Sequence, residues 1–174
     1  LQHRVRNILA VIRSMVRRTH EEGQSAEDFI QHLEGRLGAL ARTQVLLTRM
    51  IGAGVDLELL IRDELESQAA DEGVRIAGPE IYLSPKAAEV LTLAIHELAT
   101  NSVKYGALSQ PGAQTEVVWE VLARDPVPRL SLRWFESGVT GIQSEPVREG
   151  FGTELITRRV AYELRGTGSL HVRS

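Results

Sequence analysis

The stretch Ser84-Pro85-Lys86-Ala87-Ala88-Glu89-Val90-Leu91-Thr92-Leu93-Ala94-Ile95-His96-Glu97-Leu98-Ala99-Thr100-Asn101-Ser102-Val103-Lys104-Tyr105 reads as one long helix. Ser84 is a suitable N-cap and Pro85 suits the first helical position, where its missing N–H costs nothing. Upstream, residues 55–70 read as a further helix with Leu57, Leu60, Ile61 and Leu65 on one side. Val74-Arg75-Ile76 and Ile81-Tyr82-Leu83 read as short strands around Gly78-Pro79. Downstream, residues 116–122 and 130–134 alternate as strands across a turn holding Asp125-Pro126 and Pro128, which predicts antiparallel pairing. A glycine-containing segment leads to a helix over 153–164, and residues 169–172 suit one more strand. Helices and antiparallel strands so segregated predict an α+β, two-layer sandwich.

The N-terminal fifty residues follow another pattern. Val5, Ile8, Leu9, Ile12, Met15 and Val16 form one helical stripe, and Ile30, Leu33, Leu37, Leu40, Leu47 and Ile51 form a second. Gly23 ends the first helix; Ser25 caps the next, with Asp28 three residues on. So short a turn predicts an antiparallel helical hairpin. The second stripe keeps a 3-4 alternation through Gln44, the pattern of a bundle seam. Either a homodimeric four-helix bundle or the rest of the chain must cover it. Gly52 and Gly54 break the pattern, so we expect domains over 1–52 and 55–174.

Composition narrows the function. A chain of 174 residues with 43% hydrophobic residues can bury a core. Without cysteine it has no disulfide, thiolate metal site or cysteine nucleophile, which fits a reducing compartment, and a cytoplasmic location is expected. A net charge of -3 offers no global field for nucleic acid, and no apolar run approaches the ~20 residues of a membrane span. No leader-like segment opens the chain.

The polar residues that could do chemistry concentrate in a few places. Glu97, Asn101 and Lys104 fall at i, i+4 and i+7, so a carboxylate, a carboxamide and an ammonium share a helix face. Such a set suits a nucleotide triphosphate with magnesium: a neutral oxygen for the hard cation, a base or water-orienting group, and a cation for phosphate. Alone, the triplet is more often a solvated polar face. Gly150-Phe151-Gly152-Thr153 precedes a helix and can offer backbone amides to phosphate, or be an ordinary turn. Trp134-Phe135-Glu136-Ser137-Gly138 closes a strand with a carboxylate that could accept from an adenine amino group. His3 sits on the face of its helix opposite the apolar stripe, where a neutral imidazole can act as nucleophile. His96 points about 100° away from Glu97 and suits a core or supporting role, while His20, His32 and His171 stand in no constellation.

Taken in order, the pieces resemble the HWE histidine kinases, named for an N-box histidine and a downstream Trp-x-Glu. His3-Arg4-Val5-Arg6-Asn7 is similar to the family's phosphoacceptor box, and residues 96–109, from His96 through Asn101 to Ser109, to its N box. Trp134-Phe135-Glu136 matches the naming motif and Gly150-Phe151-Gly152 the glycine box. The resemblance implies a dimerisation and phosphotransfer hairpin followed by the ATP-binding sandwich shared with gyrase-type ATPases. It implies His3 as phosphoacceptor, Glu97 as a catalytic carboxylate and Asn101 as magnesium ligand. Lys104, Tyr105, Glu136, Gly138, Gly150, Gly152 and Thr153 would line the ATP site. The implied partners are an upstream sensor domain and a response-regulator receiver domain whose aspartate takes the phosphoryl group. The chain departs from the pattern after Glu136, where Ser137-Gly138-Val139 replaces the usual Gly-Gly-Pro; the residue after His3 is Arg4, as in this family but unlike many other histidine kinases, which have an acidic neighbour there. Its start two residues before His3 and its end at Ser174 suggest a piece of a longer, sensor-bearing protein. The rival expectation is a phosphotransfer scaffold whose ATP domain no longer binds nucleotide.

Overall fold

The computed structural model describes residues 26–49, 54–70, 73–123, 127–141 and 151–171. The first predicted helix, the turn at Gly23 and Ser25, the break at Gly52, and two candidate residues, His3 and Gly150, lie outside them.

Helix α1 (Ala26–Arg49) opens with Glu27 and Asp28, whose charges complement the positive end of the helix dipole. After Gly54, strand β1 (Val55–Asp56) precedes helix α2 (Leu57–Ser67). The sequence placed Val55 and Asp56 inside that helix. Instead Asp56 caps it, its Oδ1 accepting from Leu59 N at 2.7 Å. Both residues pair antiparallel with β3 (Tyr82–Leu83), Val55 opposite Leu83. Gly54 takes φ +84, and a Cβ there would stand 2.6 Å from the Leu83 carbonyl oxygen, so glycine lets the two backbones meet.

Strand β2 (Val74–Ala77) runs parallel to β4 (Gln114–Leu122), which pairs antiparallel with β5 (Arg129–Ser137), giving the order β2-β4-β5. The predicted antiparallel pair is thus present and two to three residues longer at one end. The two short upstream strands enter different sheets. Between them Gly78 lies against the Trp119 ring, and the Pro79 carbonyl accepts from Trp119 Nε1 at 2.8 Å.

Helix α3 (Pro85–Tyr105) occupies the predicted span, with Ser84 Oγ accepting from Ala87 N. It is buried along most of its length because it serves two apolar clusters. One joins Leu91, Ile95 and Ala99 to Leu57, Ile61 and Leu65 of α2 and to Val117 and Trp119 of β4. The other joins Leu93 and Ala94 to Leu40 of α1 and to Leu155, with Leu33 packed alongside. Each fully buried Leu or Ile contributes roughly 1.5–3 kcal/mol. The rest of the chain therefore covers part of the Leu33, Leu37, Leu40 seam.

The last helical segment starts at Phe151, runs as α4 (Phe151–Glu154), passes through a π-helical turn (Leu155–Arg159) and ends as α5 (Val160–Leu164). Gly152 and Thr153 therefore lie inside its first turn, not before it. Residues 169–171 form no strand. The tail leaves α5 at Arg165, whose carbonyl is held by Arg129, and Gly168 lies on the Ile156 carbonyl, so the segment follows a helix instead of a sheet edge.

Candidate functional site

The C-terminal half of α3 carries Glu97, Asn101 and Lys104 from a sealed to an open environment. Glu97 is 9% exposed and receives both forks of Arg36 of α1: Nε to Oε1 at 2.7 Å and Nη2 to Oε2 at 3.0 Å. Gly152 lies directly against it; a Cβ there would be 3.2 Å from Glu97 Cβ, so a larger residue would lift the helix from the carboxylate. One turn on, Asn101 is exposed, and the described residues give its carboxamide no hydrogen-bond partner. Lys104 follows, with Nζ 2.8 Å from His32 Nε2. An ammonium can only donate, so His32 accepts through an unprotonated nitrogen. Burial lowers the His32 pKa, the charges of Lys104 and Arg36 lower it further, and Glu97 and Asp28 oppose. Tyr105 ends the helix, 76% exposed.

The Trp-x-Glu stretch meets this helix end. Residues i and i+2 of a strand share a face, so Trp134 and Glu136 project together, and Trp134 Nε1 donates to Glu136 Oε1 at 2.8 Å. The other oxygen accepts from the backbone N–H of Ala107 at 2.8 Å, just past α3. Gly106 packs against this carboxylate, where a side chain would collide with it. Glu136 thus anchors the end of the α3 helix, using one acceptor position on each oxygen. Gly138 has φ +75 and lies against Ala113 at the turn beyond β5.

The structure therefore sets Gly152, with Thr153 beside it in sequence, against Glu97 near the middle of α3, and Glu136 at the helix end past Tyr105, with Asn101 and Lys104 on the helix between. Gly138 stands apart at its turn. A magnesium ion bound with nucleotide phosphates asks one or two oxygens of the protein, and the open Asn101 carboxamide fits that demand. Among the described residues no group of three His, Cys, Asp or Glu could hold a metal by itself. A cleft of about 510 Å³ opens elsewhere, at Arg75, Gln114, Phe135 and Ser137. None of the expected site residues lines it.

The sequence missed three residues here. Arg36 falls between Leu33 and Leu40 in the apolar stripe, and a charge in such a stripe signals a buried partner. His32 has no comparable signal. Glu64, 1% exposed, bonds His96 Nδ1 through Oε1 at 2.6 Å and Arg42 through Oε2 at 2.7 Å. His96 is thus buried and held from behind, in agreement with the supporting role expected for it.

Comparison with known proteins identifies similar chains. Residues 1–80 match the family model described as HWE histidine kinase. The chain is 36% identical over 171 residues to blue-light-activated histidine kinase 1 of Erythrobacter litoralis, covering 92% of this chain and 45% of that protein. It is 30% identical over 167 residues to the blue-light-activated histidine kinase of Brucella anthropi, 95% of this chain and 34% of that protein. The blue-light-activated histidine kinase of Brucella ovis is 28% identical over 167 residues. These matches support the histidine kinase class for the chain, and within that class the HWE family. It spans between a third and a half of the length of these relatives. Among the described residues no helix is long and apolar enough to cross a membrane.

Proposed function

We propose that the chain is the catalytic core of an ATP-dependent protein histidine kinase: a phosphotransfer hairpin over 1–52 and a gyrase-type ATP-binding sandwich over 55–174. The observation that best supports this is the convergence of Glu97, Asn101 and Lys104 on α3, with Gly152 against Glu97 and Glu136 at the helix end. A ring nitrogen of His3 attacks the γ-phosphorus of ATP. A P–N bond forms, the bond to the bridging oxygen breaks, ADP leaves and the ring proton is released. An aspartate of a response-regulator receiver domain then takes the phosphoryl group. Lys104 offsets phosphate charge, and Glu97 orients the incoming nucleophile or accepts its proton. Asn101 would hold magnesium, which supplies charge neutralisation on the phosphates when bound. A sensor domain, a homodimer built on the hairpin and a cytoplasmic location complete the reading.

Labelled ATP should place an acid-labile, alkali-stable phosphate on the full chain. The His3→Ala variant should lose the label yet still bind ATP, and Asn101→Ala should lose both. Label persisting in His3→Ala removes the acceptor assignment. A wild-type protein that shows no thermal shift with magnesium and ATP favours the scaffold instead.

A further inference from the structure

We propose that Arg36 is a positioning residue for phosphoryl transfer, fixing the Glu97 carboxylate from a helix that belongs to the hairpin and not to the ATP-binding sandwich. This rests on the function proposed above and adds a member to its site.

Two consecutive residues of α1 meet two consecutive residues of α3. Gly35 lies on the His96 ring, where a Cβ would be 2.9 Å from Nε2, and Arg36 takes both oxygens of Glu97. The ring is held from behind by Glu64 at 2.6 Å, so the α3 backbone beneath Glu97 is fixed on both sides. A planar fork that donates two parallel bonds sets the plane of a carboxylate, which a point charge does not do. The side chains of the pair are 5% and 11% exposed, so water competes little. Each carboxylate oxygen keeps a further lone pair, enough to accept from a water or an imidazole. Glu97 remains chemically available while its direction is set.

A latch that blocks the site is the opposite reading, and the donors left open argue against it. A triphosphate is an anion; the groups α1 places here are a guanidinium paired with Glu97, a neutral imidazole that takes one of the three N–H donors of Lys104, and the Asp28 carboxylate near that imidazole. Lys104 keeps two N–H donors for the phosphates, while Arg36, paired with Glu97, acts on that carboxylate and not on the ligand.

The test measures the autophosphorylation rate at saturating Mg-ATP and, separately, Mg-ADP affinity by calorimetry, both on the full chain. Arg36→Ala should slow labelling at least about tenfold while affinity changes less than about threefold, the signature of lost orientation. Arg36→Lys, which keeps charge without the fork, should retain affinity and recover part of the rate. In a Glu97→Gln background the Arg36→Ala change should cost less than about threefold, because a residue that acts through Glu97 has nothing left to act on. That double variant also removes the buried unpaired carboxylate, so it remains informative if Arg36→Ala alone does not fold. Labelling as fast as wild type or faster, equal losses of rate and affinity, or an undiminished effect in the Glu97→Gln background would each overturn the proposal. A wild-type chain that neither binds Mg-ADP nor takes label sinks the kinase reading itself and Arg36 with it.

Discussion

Nδ1 of His96 lies 2.6 Å from Oε1 of Glu64, with both side chains closed off from solvent and Arg42 on the other carboxylate oxygen. Three helices meet at this one carboxylate: α1 through Arg42, α2 through Glu64 itself and α3 through His96. A buried charge of this kind stabilises only while its partners are present.

Glu64 makes the fold acid-sensitive. Burial alone would raise its pKa, but the hydrogen bond and charge of His96, followed by those of Arg42, more than offset that and hold it below 4.5. A carboxyl lowered in the folded state contributes stability that is complete above its unfolded pKa and lost as pH falls through the folded one. The melting temperature of the wild type should therefore drop as pH descends below 4.5. Glu64→Gln should melt lower at neutral pH and show a shallower acid limb. Melting curves across that range decide it; parallel limbs would show that Glu64 does not titrate with unfolding.

Removing Arg36 strands a buried carboxylate. Arg36→Ala should destabilise the chain by about 3–5 kcal/mol, and adding Glu97→Gln should return a substantial part of that loss. Urea denaturation followed by tryptophan fluorescence measures both. A loss below about 1 kcal/mol would indicate a pair that behaves as if exposed.

Gly106 leaves room for Glu136. Gly106→Ala should push the carboxylate off the Ala107 amide, because a Cβ there collides with Oε2. A hydrogen bond to a charged group contributes about 1.5–3 kcal/mol, and a loss in that range is expected. The Ala107 amide should exchange faster with solvent in both Gly106→Ala and Glu136→Ala. If it stays protected in Glu136→Ala, the carboxylate does not anchor the loop.

A methyl at position 35 tests how tightly α1 docks. Its Cβ would sit 2.9 Å from His96 Nε2, and a ring fixed by Glu64 cannot easily turn away. Overpacking of this kind costs about 1–3 kcal/mol. Gly35→Ala should lower the melting temperature and raise amide exchange in α1. An unchanged melting temperature would mean that the ring yields.

Much of this was legible in one dimension because it depends on neighbours in sequence. Ser84-Pro85 sets where α3 starts, the stripe Leu57, Leu60, Ile61, Leu65 sets which face of α2 is buried, and alternation marks β4 and β5. Spacing of four and seven put Glu97, Asn101 and Lys104 on one face, and spacing of two put Trp134 beside Glu136. Misreadings occurred where a local signal was outvoted. Val55 and Asp56 form a strand instead of the start of α2 because β3, further along the chain, offers them an edge, and residues 169–171 stay out of a sheet because Ile156 and Arg129 hold the tail.

What only the tertiary structure decided is the company those side chains keep. That Arg36 clasps Glu97, that Arg42 and His96 share Glu64, and that Glu136 caps a loop depend on pairs separated by 61, 22, 32 and 29 residues. Backbone preference and hydrophobic period act over a few residues, so they fix elements and faces. Long-range charge pairing is decided by how those faces pack, and packing is a property of the whole chain.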